Sequence, residues 1–192
     1  MGINWLFERR GQAAAPFELF VAVIIMTFVV IVGYQALTKV TTEVCLNSVD
    51  KAMSDFKTSL EGTVKMKSQN KLFFHPEESC FISKQTIMKI EVVSERQVCA
   101  ARCGSPMDTC FVMTFSNPNI ANAFKQKCLE LPPYTNFDPD MCAGAVDSEL
   151  SGQGYSPIRP MEAGQIGIGS YVFKNISPAG DTYPKVCIFY KK

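Results

Sequence analysis

The sequence predicts an α+β protein in which a long N-terminal stalk helix packs on a disulfide-rich antiparallel β head. Three observations carry this prediction. An apolar run near the N-terminus continues into a segment whose apolar residues recur at helical spacing. Beyond that segment, short runs of β-branched and aromatic residues alternate with turn-forming clusters, which is typical of antiparallel strands. All eight cysteines follow the apolar run.

Composition narrows the functional class before any motif is considered. The 192 residues include 19 Lys and Arg against 18 Asp and Glu, a formal charge of +1, which argues against a general nucleic-acid binder. Charged residues make up 19% of the chain, below the ~25% usual in soluble domains, and hydrophobic residues make up 47%. A single histidine removes most imidazole-based catalysis and multi-histidine metal sites. We therefore expect a secreted or membrane-anchored protein without cofactor or metal, rather than an enzyme.

The first element is an apolar stretch long enough to span a membrane. Leu19–Val32 contains one polar residue, Thr27, and the wider apolar region reaches the about 20 helical residues that a bilayer requires. Arg9 and Arg10 lie just before this stretch, and no Lys or Arg follows until Lys39. The positive-inside rule then places the N-terminus in the cytoplasm and the bulk of the chain outside.

Three interpretations of this N-terminal region compete. A secretory signal peptide would be cut after the apolar stretch, but residues 33–37 match its small-residue cleavage site poorly. A plain signal anchor would stay uncleaved. A leader of a third kind would be cut before the stretch, so that the mature chain keeps the apolar helix.

The residues before the stretch favour the third interpretation. Residues 8–19 read ERRGQAAAPFEL. This segment resembles the leader of type IV pilin-like proteins, and most closely the archaeal class III signal peptide, in which a basic residue, Gly and Gln surround the cut. The resemblance implies that a membrane prepilin peptidase cuts between Gly11 and Gln12. An acidic residue usually occupies the fifth mature position in that family, whereas here Pro16 stands there and Glu18 is the nearest acid.

The resemblance also implies a role for the start of the helix in filament assembly. Glu18 would pair with the terminal amine of a neighbouring subunit, because a carboxylate inside an apolar bundle is costly unless it is paired. The alternative is an interfacial acid that the helix dipole favours. The assembly residues expected from the resemblance are Phe17, Glu18, Leu19, Phe20 and Val23.

The helix is predicted to continue beyond the apolar stretch. From Leu37 to Val64, apolar residues recur every three to five positions among polar ones, as an amphipathic helix requires. No proline lies between Pro16 and Pro76. We expect one helix of about 50 residues, ~75 Å long, with a break at Gly33 as the alternative. The predicted domains are a leader over residues 1–11, a stalk helix over 12–67 and a globular head over 68–192.

The head is predicted to be an antiparallel β structure that ends in a hairpin. Residues 119–127 allow one or two helical turns. Residues 138–167 are rich in Gly, Pro and Ser and are expected to form an irregular loop held by Cys142. The candidate strands are Lys71–Phe74, Phe81–Ser83, Thr86–Ser94, Cys110–Ser116, Lys127–Leu131, Gly169–Asn175 and Val186–Tyr190.

The cysteines are expected to form disulfide bonds in an oxidising compartment, with a pairing that the sequence leaves open. The rival is a zinc site from Cys99, Cys103, Cys110 and Cys128, although only one pair has the spacing of zinc ligands. Cys45 lies on the predicted stalk helix, so a bond from Cys45 to the head would fix the two together. The full set is Cys45, Cys80, Cys99, Cys103, Cys110, Cys128, Cys142 and Cys187.

Two functional hypotheses follow. The first is a structural subunit of an extracellular type IV pilus-like filament with a broad role in adhesion and surface attachment. Its implied partners are sister subunits in a helical homo-oligomer, a prepilin peptidase, an assembly ATPase and a membrane platform protein. The second is a single-pass ectodomain, or a minor pilin-like binding module, that does not polymerise. An enzyme ranks third, because the sequence offers no combination of nucleophile, base and orienting group.

Both hypotheses place the chain first in the cytoplasmic membrane, and the first then places it at the cell surface. Asn175 begins the only N-glycosylation sequon, Asn-Ile-Ser, on the side expected to lie outside. Asn175 is therefore the candidate glycosylation site.

Overall fold

The computed structural model describes residues 15–77, 80–81, 85–120, 123–178 and 181–192, and within them the chain has the predicted α+β architecture. The predicted leader and its cut between Gly11 and Gln12 lie outside the described residues. The elements in chain order are α1 (Ala15–Met66), β1 (Gln69–Phe74), β2 (Ile87–Val93), α2 (Arg96–Cys103), β3 (Cys110–Ser116), β4 (Phe124–Leu129), a 3-10 helix (Pro139–Ala145), α3 (Ser148–Gly152), β5 (Ser156–Pro157), β6 (Gly169–Asn175) and β7 (Val186–Lys191).

Helix α1 is continuous for 52 residues, including Gly33, which confirms the prediction of a single long helix. Pro16 lies in its first turn, where the missing N–H removes no helical hydrogen bond. Glu18 lies in the same turn, where a negative charge suits the helix dipole. The chain divides inside this helix into two compact units, one reaching to Glu43 and one comprising Val44–Lys192. We call the second the globular unit.

Two antiparallel sheets form the β structure of the globular unit. The first sheet has the strand order β1-β6-β7-β5, and the second has the order β2-β3-β4. Strands β6 and β7 form the predicted C-terminal hairpin, with Tyr171 opposite Tyr190. Strand β3 is buried along nearly its whole length, because it is the central strand of the second sheet and both of its faces are covered.

The amphipathic part of α1 packs against both sheets in one hydrophobic cluster. The Phe56 ring lies edge-on to three other rings, with centroid distances of 6.0 Å to Phe74, 5.4 Å to Tyr171 and 4.9 Å to Phe173. Each such pair contributes about 0.5–1.5 kcal/mol beyond the burial of its surface. The predicted apolar stripe therefore lies on the sheets through Cys45, Val49, Met53, Phe56, Leu60 and Val64.

Short helices cover the outer face of each sheet. The 3-10 helix and α3 pack on the first sheet through Leu150, Val172 and Phe189. Helix α2 packs on the second sheet, where Cys99 lies beside Val112. The region expected to be an irregular loop, residues 138–167, therefore contains the 3-10 helix, α3 and β5.

All eight cysteines form disulfide bonds, as predicted, so the thiolates of the alternative zinc site are used in bonds to one another. Cys99 and Cys103 lie one turn apart on α2, which directs both sulfur atoms to the same side, toward β3 and β4. The Cys45 bond ties α1 to the segment after β1, as expected from its position on the helix. The pairs are Cys45–Cys80, Cys99–Cys110, Cys103–Cys128 and Cys142–Cys187.

Strand β4 corrects the prediction for the middle of the head. Residues 119–127 were expected to allow helical turns, but β4 begins at Phe124 and ends at Leu129. Pairing with β3 explains the difference, because each residue of β4 lies opposite a residue of that buried central strand. The predicted strand Lys127–Leu131 is the same element with its bounds displaced. Of the candidate strand Phe81–Ser83, residues 82–83 lie outside the described residues.

Candidate functional site

The most distinctive surface of the molecule is the first part of α1. Every side chain from residue 16 to residue 41 is exposed, and we call this stretch the exposed segment. Phe17 is 70% exposed, Phe28 68% and Val23 55%. Apolar residues surround the helix here instead of forming one stripe. A contiguous apolar surface of this extent marks a contact with lipid or with other protein.

The threonine hydroxyl groups within the exposed segment are bonded to the helix itself. Thr27 Oγ1 donates to the Val23 carbonyl oxygen at 2.7 Å. Thr38 Oγ1 donates to the carbonyl oxygens of Tyr34 and Gln35 at 3.1 and 3.0 Å. Because each hydroxyl proton already has an acceptor, these threonines present no unsatisfied donor to an apolar environment.

Glu18 is the only Asp, Glu, Lys or Arg between residues 16 and 38. Its neighbours Phe17, Leu19 and Phe20 are 70%, 69% and 62% exposed. Among the described residues, no hydrogen-bond or ion-pair partner reaches its carboxylate. Once this surface is buried, an unpaired carboxylate becomes costly, so the arrangement favours a cationic partner from outside the described chain.

The length of the exposed segment fits a bilayer. Within the described residues, α1 is the helix that is long and apolar enough to cross a membrane. The part from residue 16 to residue 34 is about 28 Å long at the usual helical rise, close to the ~30 Å of a hydrocarbon core. The long apolar helix indicates membrane anchoring, and the four disulfides indicate an extracellular domain.

A second feature is a cleft at one end of the first sheet, with a volume of about 670 Å³. Its walls include the rings of Phe73, Phe81 and Tyr190, and its remaining described lining comes from residues 164–169, His75 and Lys192. The Phe73 ring stacks on the ring of His75 at a centroid distance of 5.4 Å and an angle of 14°. Phe73 is nevertheless 65% exposed. The volume lies within the about 300–1,000 Å³ range of ligand pockets.

Two tyrosines hold the loop that lines this cleft. The Gly167 N–H donates to Tyr171 Oη at 2.8 Å, and the Tyr171 hydroxyl donates to the Gly167 carbonyl at 2.6 Å. The Tyr190 hydroxyl donates to the Ile168 carbonyl at 2.8 Å. Burial raises the pKa of both phenols, and for Tyr171 the hydrogen bond with Gly167 offsets only part of this rise. Both tyrosines therefore stay neutral at physiological pH and remain hydroxyl donors to the loop.

The predicted site residues do not form one site. The assembly residues from Phe17 to Val23 lie on the exposed segment, whereas Gly11 and Gln12 lie outside the described residues. The disulfides lie in the globular unit. In the described ranges, no three His, Cys, Asp or Glu side chains converge as a metal site.

Asn175 is half-buried at the end of β6. Its Nδ2 donates to the Val64 carbonyl oxygen at 3.5 Å, and its Oδ1 accepts from the Ser177 N–H at 2.9 Å. A glycan would be attached at the same nitrogen that bonds the last turns of α1. Glycosylation of Asn175 therefore requires that this contact be given up or replaced.

Sequence reasoning did not find the cleft. Its residues come from β1 and the segment after it, from the 164–169 loop, and from β7 and the residue after it. These parts are distant in the chain, and the pairing of β6 with β1 and β7 brings the two strands together. The glycines of the loop, Gly164, Gly167 and Gly169, are the one local signal, because glycines at this spacing favour a turn before a strand. That turn is present, because β6 begins at Gly169.

Comparisons with known proteins do not add to what these two surfaces indicate about function. No protein-family profile matches the chain, and no curated protein or solved structure is significantly similar to it.

Proposed function

We propose that this protein is a structural subunit of an extracellular type IV pilus-like filament with a broad role in adhesion. One observation carries the proposal. A single helix has an exposed apolar first part, and its second part is buried by the sheets of the same chain. Lipid would cover the first part before assembly, and sister helices would cover it afterwards. Both surroundings are apolar, so helix packing can replace lipid contact at little cost.

The N-terminal sequence supports the same role. Residues 8–19 resemble an archaeal class III leader, and removal of that leader would expose the amine of Gln12. Glu18 is the one carboxylate on the exposed apolar surface, and pairing it with that amine of a neighbouring subunit would fix the register between subunits. Processing and export would require a prepilin peptidase, an assembly ATPase and a membrane platform protein.

The precursor would lie in the cytoplasmic membrane with its N-terminus inside. Arg9 and Arg10 precede the apolar stretch and support this orientation. The disulfide-bonded globular unit would then lie outside, and assembly would carry it to the cell surface.

The second candidate function is a membrane-anchored ectodomain, or a minor pilin-like subunit, that binds a ligand without polymerising. The cleft beside Phe73 favours this candidate, because an open aromatic cleft contributes nothing to a filament core. The two candidates share the anchor and differ in whether the exposed segment contacts sister subunits.

Mass analysis of the N-terminus tests the leader. Protein extracted from membranes is expected to begin at Gln12, in its free or cyclised form. A chain that still begins at Met1 would contradict cleavage and leave the signal-anchor interpretation.

A charge on the exposed segment tests assembly. Val23→Asp is expected to abolish filaments seen by electron microscopy, because an unpaired carboxylate cannot be buried between apolar helices. Thr58→Asp is the matched control, because it adds the same charge to an exposed position of α1 in the globular unit. Glu18→Ala is expected to reduce or abolish filaments as well. Filaments that persist in both Val23→Asp and Glu18→Ala contradict the proposal and favour the ectodomain.

A further inference from the structure

Strand β1 is an edge strand of the first sheet, since β6 is the only strand that pairs with it among the residues that the structure describes. The Asn175 N–H donates to the Ser68 carbonyl oxygen at 3.5 Å, and this bond sets the phase of the β1–β6 ladder. In an antiparallel pair, every second residue exchanges hydrogen bonds with its partner strand. The residues of β1 that bond to β6 are therefore Asn70, Leu72 and Phe74.

The intervening residues, Gln69, Lys71 and Phe73, form what we call the outer edge. Their backbone N–H and C=O groups point away from β6, and within the described part of the chain these groups have no hydrogen-bond partner. All three side chains are exposed. A row of donors and acceptors repeated every second residue matches the backbone of one kind of ligand, an extended chain.

The outer edge is continuous with the aromatic cleft, because Phe73 belongs to both. Its backbone groups face outward, and its ring forms a wall of the cleft and stacks on His75. A strand added at this edge would place one side chain beside the Phe73 ring. The side chain two positions away on the same strand would then lie opposite Lys71.

The charged side chains that belong to the outer edge and to the described lining of the cleft are lysines, Lys71 and Lys192. Lys71 is exposed and meets one acid, Glu149, at 3.9 Å between two largely solvated side chains. The described lining of the cleft includes His75 and Lys192 and no acidic side chain. An acidic residue opposite Lys71 would complement this charge, while a basic residue there would be repelled.

We propose that the outer edge of β1 and the adjacent cleft form a binding site for an extended peptide segment of another protein. The segment adds as a strand to β1, places an aromatic or apolar side chain against Phe73, and carries an acidic side chain opposite Lys71. This activity is separate from filament assembly, which uses the exposed segment of α1.

Amide hydrogen exchange of the full chain in detergent micelles tests the proposal. The probe is a capped heptapeptide, Thr-Glu-Thr-Phe-Thr-Glu-Thr, whose symmetry presents Phe and Glu correctly in either strand direction. Exchange at Lys71 and Phe73 is expected to slow by at least about tenfold when the peptide is bound, since their amides gain acceptors. Exchange at Asn70 and Leu72 is expected to be slow without the peptide and to stay unchanged with it, because these residues already bond to β6. The same peptide with Lys in place of Glu is expected to protect less.

Substitution of Lys71 separates edge pairing from charge. Lys71→Pro deletes an outward N–H and leaves the ladder to β6 intact, because prolines are tolerated on the solvent side of edge strands. Lys71→Ala keeps the N–H and removes the charge. We expect peptide protection to be lost in Lys71→Pro and weakened in Lys71→Ala and Phe73→Ala. Continued protection of Asn70 and Leu72 reports that each variant is folded.

Three results would overturn the proposal. One is the absence of protection at millimolar peptide. A second is peptide binding by folded Lys71→Pro that equals binding by the unsubstituted chain. The third is slow exchange of the Lys71 and Phe73 amides without any peptide, because a second copy of β1 would then already occupy the edge.

Discussion

Glu61 joins α1 to the residue that directly follows β4. It is 9% exposed, and its Oε1 accepts from the Glu130 N–H at 2.6 Å. Lys57 lies 3.7 Å away, one turn earlier on the helix. Lys127 reaches Asp50 at 2.8 Å further along the same interface. These contacts fix the rotation of α1 about its own axis. Apolar packing alone specifies that rotation less precisely, because the hydrophobic effect is not directional.

Glu61→Ala is expected to lower the free energy of unfolding by about 1.5–3 kcal/mol, because it removes a charged acceptor and leaves the Glu130 N–H without its partner. Asp55→Ala is the control, since Asp55 is an exposed acid on the same helix. Urea unfolding in detergent micelles measures both. Equal effects of the two substitutions would show that the Glu61 contact contributes nothing specific.

Asp147 links stability to pH. Its Oδ2 lies 3.0 Å from Lys174 Nζ, and its Oδ1 accepts from the Leu150 N–H at 3.3 Å. The hydrogen bond with Lys174, followed by the bond from Leu150, holds the pKa of Asp147 below its ordinary value of 3.8. The folded state therefore favours the ionised carboxylate. The contribution of Asp147 to the free energy of unfolding is fully present when the pH is above the pKa of the unfolded state. It is lost as the pH falls through the lower pKa of the folded state.

Unfolding curves recorded from neutral pH down to about pH 2 test this linkage. Asp147→Asn is expected to lower stability at neutral pH and to flatten the acid limb of the stability curve. A parallel loss of stability with pH in the unsubstituted chain and in Asp147→Asn would assign the acid limb to other carboxylates.

At the scale of elements, α1 serves two environments with one secondary structure. Phe56 is fully buried among three aromatic rings of the first sheet, whereas Phe28 on the same helix is 68% exposed. The phenylalanine at position 56 therefore contributes to the folding of the globular unit. The phenylalanine at position 28 instead forms part of the apolar surface of the exposed segment.

Phe56→Ala is expected to destabilise the globular unit by about 3–5 kcal/mol, the usual effect of truncating a buried aromatic side chain. Phe28→Ala makes the same chemical change on the exposed segment and is expected to leave the unfolding midpoint unaltered. Thermal unfolding followed by near-ultraviolet circular dichroism distinguishes them. A large loss of stability in Phe28→Ala would mean that the exposed segment supports the globular unit.

The elements that the sequence predicted well carry strong local signals. In α1, apolar residues recur at helical spacing over a long stretch of the chain. Strands β3 and β6 match their predicted bounds, because β-branched and aromatic residues fill them. Helix α2 was missed, since Cys99 is its only buried residue and Glu95 at its N-cap makes no side-chain capping bond. Disulfide bonds to β3 and β4 hold this helix in place. The spacing of residues along the sequence does not predict which cysteines pair.

The candidate sites divide in the same way. The exposed segment was predictable, because a continuous run of apolar residues is enough to indicate a helix that can cross a bilayer. The outer edge of β1 was not predictable. Whether a strand lies at the edge or in the centre of its sheet depends on the order in which the strands pair. Gln69 and Asn70 also have low strand propensity, and pairing with β6 extends the strand over them.

At the scale of the whole molecule, the two compact units depend on different forces. Four disulfides join positions separated by 35, 11, 25 and 45 residues, and all of them lie beyond the exposed segment. Each contributes about 2–4 kcal/mol, so together they are comparable with the entire net stability of about 5–15 kcal/mol of a typical domain. The exposed segment depends instead on backbone hydrogen bonds in an apolar surrounding.

Complete reduction in detergent micelles is therefore expected to unfold the globular unit and to spare the first part of α1. The near-ultraviolet dichroism, which reports packed aromatic rings such as Phe56 and Tyr171, should collapse after reduction and alkylation. The far-ultraviolet helical signal should fall only in part, because the segment within the micelle keeps its hydrogen bonds. Alkylating agent without reductant is the control, and it should change neither signal, since all eight cysteines are bonded. A fully reduced chain with unchanged near-ultraviolet dichroism would show that packing alone holds the globular unit. Loss of the whole helical signal would show that the exposed segment needs the globular unit to remain a helix.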